Sequence, residues 1–358
     1  MCFSALKIGD LVSSVPIIQG GMGVGISMSG LASAVANEGG IGIIATAMIG
    51  IDEPDVSKDP VGANIRALKR EIRKARAMTK GIIGVNIMVA LTHYAELVKA
   101  AIEEAVDIII SGAGLPLDLP GYLIEGAKTK LVPIVSSARA AKLLCQKWMS
   151  KYKRLPDAFV VEGPKAGGHL GFKKEQIDDS DYALEKLLKE VIETIGPIAA
   201  KHGTTIPVIA AGGIYTGEDI RKMIDLGAAG VQMGTRFVAT FECDASPAFK
   251  QTYLDAKQED LMIINSPVGL PGRAIHNKFL DDVENGAKKP FKCPYHCIKT
   301  CDVENSPYCI ALALAGAKRG KFKSGFAFAG SNAYRINKIV SVKELILTLQ
   351  TEYTQTQS

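Results

Sequence analysis

The chain has 358 residues, of which 47% are hydrophobic, 22% are charged and 6% are aromatic, and 36 are glycine. This composition is typical of a globular protein and excludes the disordered and fibrous classes. The formal net charge is only +5, and the sequence has no dense basic run interleaved with aromatic residues. A nucleic acid partner is therefore not indicated.

The first residues lack the apolar core of a secretion signal, and no stretch reaches the about 20 apolar residues that a membrane span needs. We therefore expect a cytoplasmic protein that does not contact a membrane. The chain has seven cysteines, but a chain of this size does not need disulfides for stability.

Short β-branched apolar runs alternate with helical stretches through the first two thirds of the chain. They predict eight strands, at residues 17–19, 41–44, 82–86, 106–110, 132–135, 158–161, 208–211 and 230–233. The helices between them are predicted at residues 30–37, 63–78, 94–104, 122–129, 138–150, 182–202 and 217–226. Eight such units predict an α/β fold, the (β/α)8 TIM barrel.

A doubly wound open sheet also accommodates eight parallel strands. However, glycines or polar residues follow five of the predicted strands, on the face where barrel enzymes carry their active sites. This pattern favours the barrel. We assign residues 1–240 to the barrel core and residues 241–330 to a C-terminal cap or small subdomain over the barrel mouth. Residues 331–358 are expected to form a helix at 342–349 and a tail that frays from residue 350.

Two glycine-containing loops in consecutive units predict a phosphate site. Gly212 and Gly213 follow the seventh predicted strand, and Gly234 and Thr235 follow the eighth. Backbone N–H groups, the Thr235 hydroxyl and the start of the next helix are donors that suit a phosphate. Flavin mononucleotide (FMN) and a phosphorylated substrate both fit such a site. A Rossmann dinucleotide site is not indicated, because no G-x-G-x-x-G unit with a downstream acid is present.

Taken together, the loops resemble those of the nitronate monooxygenase (2-nitropropane dioxygenase) family, FMN-dependent TIM barrels related to the type II enoyl-acyl-carrier-protein reductases. The motifs that carry the resemblance are PIIQGGMG (16–23), GVNIM (84–88), EGPKAGGHLG (162–171), PVIAAGGI (207–214) and VQMGTRF (231–237). The resemblance implies that Gly21 and Met22 lie beside the flavin ring and that Asn86 bonds its polar edge. It further implies that the ring and ribityl chain contact Glu162 and Gly167, and that the ribityl-phosphate is held by Gly212, Gly213, Gln232, Gly234 and Thr235.

His169 is the candidate catalytic residue. It follows two glycines, so its backbone can approach a flat ligand closely while its imidazole projects into the pocket. An imidazole there can accept a proton from an acidic carbon or donate one to an enolate. The family resemblance supports this role over that of a loop histidine bonded to the backbone. Lys165 stands where many family members have an acid, and it is either a solvated lysine or a cation near an anionic ligand.

Four cysteines lie close together after the barrel, with the spacing C-x3-C-x3-C-x7-C. Two interpretations remain open: a structural zinc or iron–sulfur site, or a set of reduced thiols that pack the cap. In a helix the first three would share one face, although the spacing matches neither common metal pattern. The candidate metal ligands are Cys293, Cys297, Cys301 and Cys309.

We expect an enzyme that acts on a small molecule, and two activities fit the resemblance. The first is an FMN-dependent nitronate monooxygenase, with His169 as the base for neutral nitroalkanes. The second is an NAD(P)H-dependent flavin reductase of enoyl-acyl-carrier-protein or quinones, with His169 as proton donor. Only this alternative implies acyl carrier protein as a partner, with Lys318, Arg319, Lys321 and Lys323 as a basic docking patch. A phosphate-sugar isomerase or synthase without flavin is a third hypothesis, and a homodimer is compatible with the sequence.

Overall fold

The structure, a computed structural model, describes residues 3–287, 293 and 295–355. It begins with an antiparallel hairpin, β1 (Leu6–Ile8) and β2 (Leu11–Ser13), that the sequence pattern did not predict. Gly9 adopts a positive φ of 59° in the turn between the two strands. Leu6 and Ile8 are buried among side chains of the barrel interior and close it near the starts of its strands.

The central element is a closed barrel of eight parallel strands, and every predicted strand is confirmed to within two residues at each end. The closure is completed where β11 pairs with β3, at Val231 opposite Ile17. A two-residue strand, β9, lies outside the barrel. The strands after the hairpin are β3 (Ile17–Gln19), β4 (Ile41–Ala45), β5 (Ile82–Met88), β6 (Ile108–Gly112), β7 (Lys130–Val135), β8 (Phe159–Glu162), β9 (Gly168–His169), β10 (Val208–Ala211) and β11 (Gly230–Met233).

The barrel strands are apolar at nearly every position because both of their faces are buried. Successive side chains point to opposite faces, so Ile18 packs inside the barrel while Ile17 packs outward against the helices. The same alternation places Ile43 inside and Ile44 outside. One strand sequence therefore contributes to two separate apolar cores.

Six of the seven predicted helices are confirmed, with small changes at their ends. They are α1 (Ser29–Asn37), α2 (Pro60–Met78), α3 (Tyr94–Glu103), α4 (Ala138–Tyr152), α5 (Leu184–Lys201) and α6 (Gly217–Asp225). The helix predicted at residues 122–129 is wrong, because only a 3-10 turn, Leu119–Tyr122, lies between β6 and β7. Gly126 takes a positive φ of 79° in the segment that follows, which a right-handed helix does not allow.

After β11 the chain forms α7 (Thr235–Val238) and α8 (Pro247–Asp255), whose buried side chains join the outer core of the barrel. A cap with an apolar core of its own follows, and its elements are β12 (Leu261–Asn265), β13 (Pro271–Ile275), α9 (Lys278–Glu284) and α10 (Ile310–Lys318). Phe279, Tyr308 and Phe326 form an aromatic cluster in this core. The strands β12 and β13 form an antiparallel sheet with β9, which joins the cap to a loop of the barrel.

The last helix, α11 (Val342–Gln355), returns to the barrel and packs against α6 and α1. The chain was expected to fray from residue 350, but the helix continues to Gln355, so this expectation is wrong for residues 350–355. The helix continues because Tyr353 is buried and its ring centroid lies 4.9 Å from that of Phe3. Residues 356–358 lie outside the described residues. Among the described helices, none combines the length and the apolar character that crossing a membrane requires.

Contact between α1 and β4 leaves no space for a side chain at Gly42. A Cβ added there would lie 1.9 Å from the carbonyl oxygen of Ala32. We expect Gly42→Ala to lower the free energy of unfolding by about 3 kcal/mol, measured by denaturant titration. Gly196, inside α5, is the matched control because a Cβ there has no neighbour within 4 Å. Gly196→Ala should raise stability by up to about 1 kcal/mol, and equal effects of both changes would contradict the packing described here.

Candidate active site

A cavity of about 690 Å³ opens at the carboxyl ends of the barrel strands, beneath the cap. Such a volume is typical of cofactor and substrate sites. The structure brings to its lining the predicted catalytic residue and all ten predicted cofactor-binding residues, together with Lys165. These are Gly21, Met22, Asn86, Glu162, Gly167, His169, Gly212, Gly213, Gln232, Gly234 and Thr235. Their individual roles remain predictions.

The predicted phosphate site lies at one end of the cavity, in the loops after the neighbouring strands β10 and β11. Gly212 and Gly213 have positive φ angles of 97° and 85°, a conformation that only glycine adopts without strain. A hydrogen bond from Asn332 Nδ2 to the Gly213 carbonyl, 2.7 Å long, holds this loop from the cap side. Within the described chain, the backbone N–H groups of Gly213, Gly234 and Thr235 donate to no protein acceptor. These free donors suit an anionic group.

The start of α6 does not contribute to this site in the way the sequence suggested. The Asp219 carboxylate accepts hydrogen bonds from the N–H groups of Tyr215 and Thr216, both 2.9 Å long. The Glu352 carboxylate accepts another from Gly217 N–H at 2.7 Å. Because these carboxylates already satisfy the first N–H groups of the helix, an anion must bind to the loop glycines instead.

The loop after β3 is shaped by a buried polar network. Gln19 Nε2 donates to Ser27 Oγ at 2.9 Å, and the same hydroxyl accepts the Met22 N–H at 3.0 Å. The backbone then passes so close to Asn86 that a Cβ on Gly21 would lie 2.5 Å from that residue's Cβ. This close approach leaves a smooth backbone surface on the floor of the cavity.

On the floor, the amide oxygen of Gln232 and the carboxyl of Glu162 have no hydrogen-bond partner among the residues that the structure describes. Gln232 Oε1 is buried and accepts no hydrogen bond within the described residues, which marks a position for a ligand donor. Glu162 ends β8, and burial raises the pKa of its carboxyl to about 7. A protonated carboxyl can donate a hydrogen bond as well as accept one.

His169 is held by the cap rather than by the barrel. It lies on β9, and its backbone is paired with Gly272 of β13. Its Nε2 atom lies 2.7 Å from Ser266 Oγ, and its ring meets Phe328 edge-on with centroids 4.9 Å apart. Burial lowers the pKa of the imidazole to about 4, so the ring is neutral at physiological pH.

The glycine-rich loop before His169 is fixed by a buried arginine. Arg273 Nη1, on β13, donates to the carbonyl oxygens of Pro164 and Ala166 at 2.5 and 2.9 Å. Sequence reasoning missed Ser266, Arg273 and Phe328 because they lie between about 100 and 160 residues beyond the loop they support. The segment SPVGLPGRAI, which contains the first two, was the available signal.

The four clustered cysteines do not form the metal site that their spacing suggested. Among the described residues, which include all four, no group of three or more His, Cys, Asp or Glu side chains could hold a metal ion. The segment is irregular rather than helical, so the cysteines do not share one helix face. Cys297 and Cys309 pack against an apolar cluster, and burial raises the pKa of the Cys297 thiol to about 12. Among the described residues the structure therefore does not support the metal interpretation of Cys293, Cys297, Cys301 and Cys309, and the burial of Cys297 and Cys309 fits packed thiols.

Comparisons with known proteins agree with this architecture. The profile of the nitronate monooxygenase family matches residues 6–352. The chain is 30% identical over 273 residues to a Mycobacterium tuberculosis protein named (3aS,4S,5R,7aS)-5-hydroxy-7a-methyl-1-oxo-octahydro-1H-indene-4-carboxyl-CoA dehydrogenase, covering 76% of this chain and 66% of that protein. The present chain thus spans just under two thirds of the length of that relative. A probable nitronate monooxygenase of Staphylococcus aureus is 27% identical over 304 residues, or 75% of this chain and 77% of that protein.

Solved structures share the same fold. FabK from Thermotoga maritima superposes with a TM-score of 0.72 at 29% identity, covering 96% of this chain and 94% of that one. A nitroalkane oxidase from Streptomyces ansochromogenes also gives 0.72, at 22% identity and 96% coverage of both chains, which is evidence for the fold alone.

The buried neutral imidazole of His169 makes stability depend on pH. The unfolded chain protonates this group below about pH 6.5, whereas the folded protein does so only below about pH 4. Its contribution is therefore complete above pH 6.5 and is lost as the pH falls toward 4. Between pH 7.5 and 4.5, the wild type should lose about 2–3 kcal/mol more unfolding free energy than His169→Asn. His202→Asn, which removes an exposed histidine at the end of α5, is the control and should follow the wild type. Equal losses in wild type and His169→Asn would contradict burial of the neutral ring.

Proposed function

The chain belongs to the nitronate monooxygenase family, whose members are oxidoreductases, and on this premise we propose that it uses FMN to oxidise nitronates. The observation that carries the proposal is that all eleven residues predicted to be catalytic or to bind the cofactor line one cavity beneath the cap. The glycine loops suit a phosphate on residue chemistry alone, and the family supports FMN as the ligand that carries it.

The residues present fit FMN at three points. The free N–H groups of Gly213, Gly234 and Thr235 match the phosphate. The orphaned Gln232 Oε1 matches a hydroxyl or N–H donor of the ribityl chain or ring. The backbone at Gly21, pressed against Asn86, leaves room for a flat ring.

In this proposal, Gly212 with the three free N–H groups holds the phosphate, and Gln232, Glu162 and Gly167 hold the ribityl chain and ring. Gly21, Met22 and Asn86 contact the ring. When bound, FMN supplies the electron transfer. His169 contributes a neutral imidazole that interacts with the substrate, and the cap closes over the site and excludes water.

A second candidate function is the NAD(P)H-dependent reduction of enoyl thioesters or quinones. It is favoured by the apolar wall that the cap adds to the cavity, where Leu270, Leu314 and Phe328 face the site. The similarity to a CoA dehydrogenase and to FabK points in the same direction. Acyl carrier protein is a weaker partner in this proposal, because Lys318 and Arg319 of the expected docking patch already pair with Asp52. Lys321 and Lys323 are exposed.

A carboxylate at Gly213 should prevent FMN binding. It would repel the phosphate, and its Cβ would lie 2.8 Å from Lys165 Cβ on a backbone of positive φ. We expect Gly213→Asp to elute from gel filtration with less than about a tenth of the FMN of the wild type. Gly203→Asp is the matched control, because Gly203 has a φ of 64° and no neighbour within 4 Å. Stoichiometric FMN in Gly213→Asp would show that the phosphate site is elsewhere.

An anaerobic absorbance spectrum separates the two candidate activities. We expect purified protein to show a flavin spectrum that changes on addition of a preformed nitronate and does not bleach rapidly with NADH or NADPH. Rapid bleaching by either nucleotide would support the reductase instead. Protein that takes up no flavin would overturn both candidates and favour the isomerase or synthase hypothesis.

A further inference from the structure

The contact between His169 and Ser266 determines which nitrogen of the imidazole carries the proton. Ser266 follows β12 directly and is only 7% exposed, and its Oγ atom lies 2.7 Å from His169 Nε2. Either atom can donate in such a pair, because a neutral imidazole carries one proton that sits on Nδ1 or on Nε2. The remaining partners of the Ser266 hydroxyl decide between the two.

The Ser266 oxygen already accepts a hydrogen bond from another group. The N–H of Val268 donates to it at 3.4 Å, within the tight turn that follows β12. Across the described chain, His169 Nε2 is the one acceptor within hydrogen-bond distance of the Ser266 hydroxyl proton. A buried hydroxyl that donates to nothing is unfavourable, so Ser266 O–H donates to Nε2.

The second ring nitrogen of His169 then carries the proton. Nδ1 has no hydrogen-bond partner among the described residues, and it is not fully buried. His169 lines the cavity, so this nitrogen is the one that a ligand can reach. The ring is further restrained by the edge of Phe328 and by backbone pairing, which includes a 2.8 Å hydrogen bond from Leu170 N–H to the Pro271 carbonyl.

We propose that Ser266 holds His169 in the Nδ1–H tautomer, and that His169 therefore donates a hydrogen bond from Nδ1 to an oxygen of the substrate. Ser266 is the positioning residue, and His169 is the residue that touches the substrate. This inference rests on the proposed function and narrows its substrate class. It favours substrates that present an oxygen acceptor, which are nitronates already ionised in solution or conjugated carbonyl compounds. Neutral nitroalkanes need a base, and the resting tautomer offers none at Nδ1.

The tautomer can be measured directly by NMR on the flavin-loaded protein. The chain has five histidines, so uniform ¹⁵N labelling of histidine gives a small set of signals, and His169→Gln identifies the signal of interest. Long-range ¹H–¹⁵N correlation at pH 7.5 should show Nδ1 protonated and Nε2 unprotonated. Detection of the Nε2–H tautomer, or of a doubly protonated ring, in the wild type would overturn the proposal without any Ser266 variant.

Ser266 variants test whether the hydroxyl is the cause. Ser266→Ala should convert His169 to a mixture of tautomers and lower kcat/KM for the oxygen-bearing substrate about tenfold. Ser266→Thr keeps the hydroxyl and should restore both readouts. A purely structural role would change stability but leave the tautomer of the folded protein unaltered, and that result would also contradict the proposal.

The substrate class is tested with the same preparation. Initial rates should be high with a preformed nitronate in the presence of O2, or with a conjugated carbonyl compound in the presence of NADH or NADPH. With O2 and the matching neutral nitroalkane added fresh at the same pH, the rate should be at least tenfold lower than with the nitronate. Equal rates would overturn the donor assignment. If none of these compounds is turned over, the proposed function fails, whereas the NMR measurement still decides the tautomer.

Discussion

Pairing between β11 and β3 closes the barrel, and the site depends on that closure. Once Val231 lies opposite Ile17, the carboxyl ends of all eight strands surround one axis. Residues that are up to about 200 positions apart, such as Met22 and Gly234, then line the same cavity. The interior Ile and Val side chains fill the barrel below this level, so a ligand can enter only from the carboxyl side.

The cap is inserted between the last barrel strand and the helix that completes the outer ring. Because α11 packs against α6 and α1, both ends of the inserted segment are anchored to the barrel. From this position the cap supplies β13, whose pairing with β9 orients His169, and Arg273, whose guanidinium fixes the loop before it. The barrel thus provides most of the proposed cofactor site, and the cap provides the geometry of the proposed catalytic residue.

Burial shifts the two titratable groups of the cavity in ways that favour their neutral forms. The pKa of Glu162 rises to about 7, and the pKa of His169 falls to about 4. Within the described part of the chain, loss of water is the cause of both shifts, and no charged partner reverses them. A cavity with neutral polar groups and free backbone donors is suited to a ligand that brings its own charge, as a phosphate and a nitronate do.

The sequence alone determined the barrel, because the eight strands are short, apolar on both faces and separated by amphipathic helices, and these are local properties. It also predicted which loops line the cavity, since Gly212 and Gly213 directly follow one predicted strand and His169 lies in the glycine-rich loop after another. The helix predicted at 122–129 is wrong because Gly126 takes a positive φ in that segment. The spacing of the cysteines did not report that, among the described residues, they form no group that could hold a metal ion. Only the tertiary structure decided what orients His169. Its partners Ser266 and Phe328 meet it through a sheet formed with the cap, and no local pattern reports contacts between segments so distant in the chain.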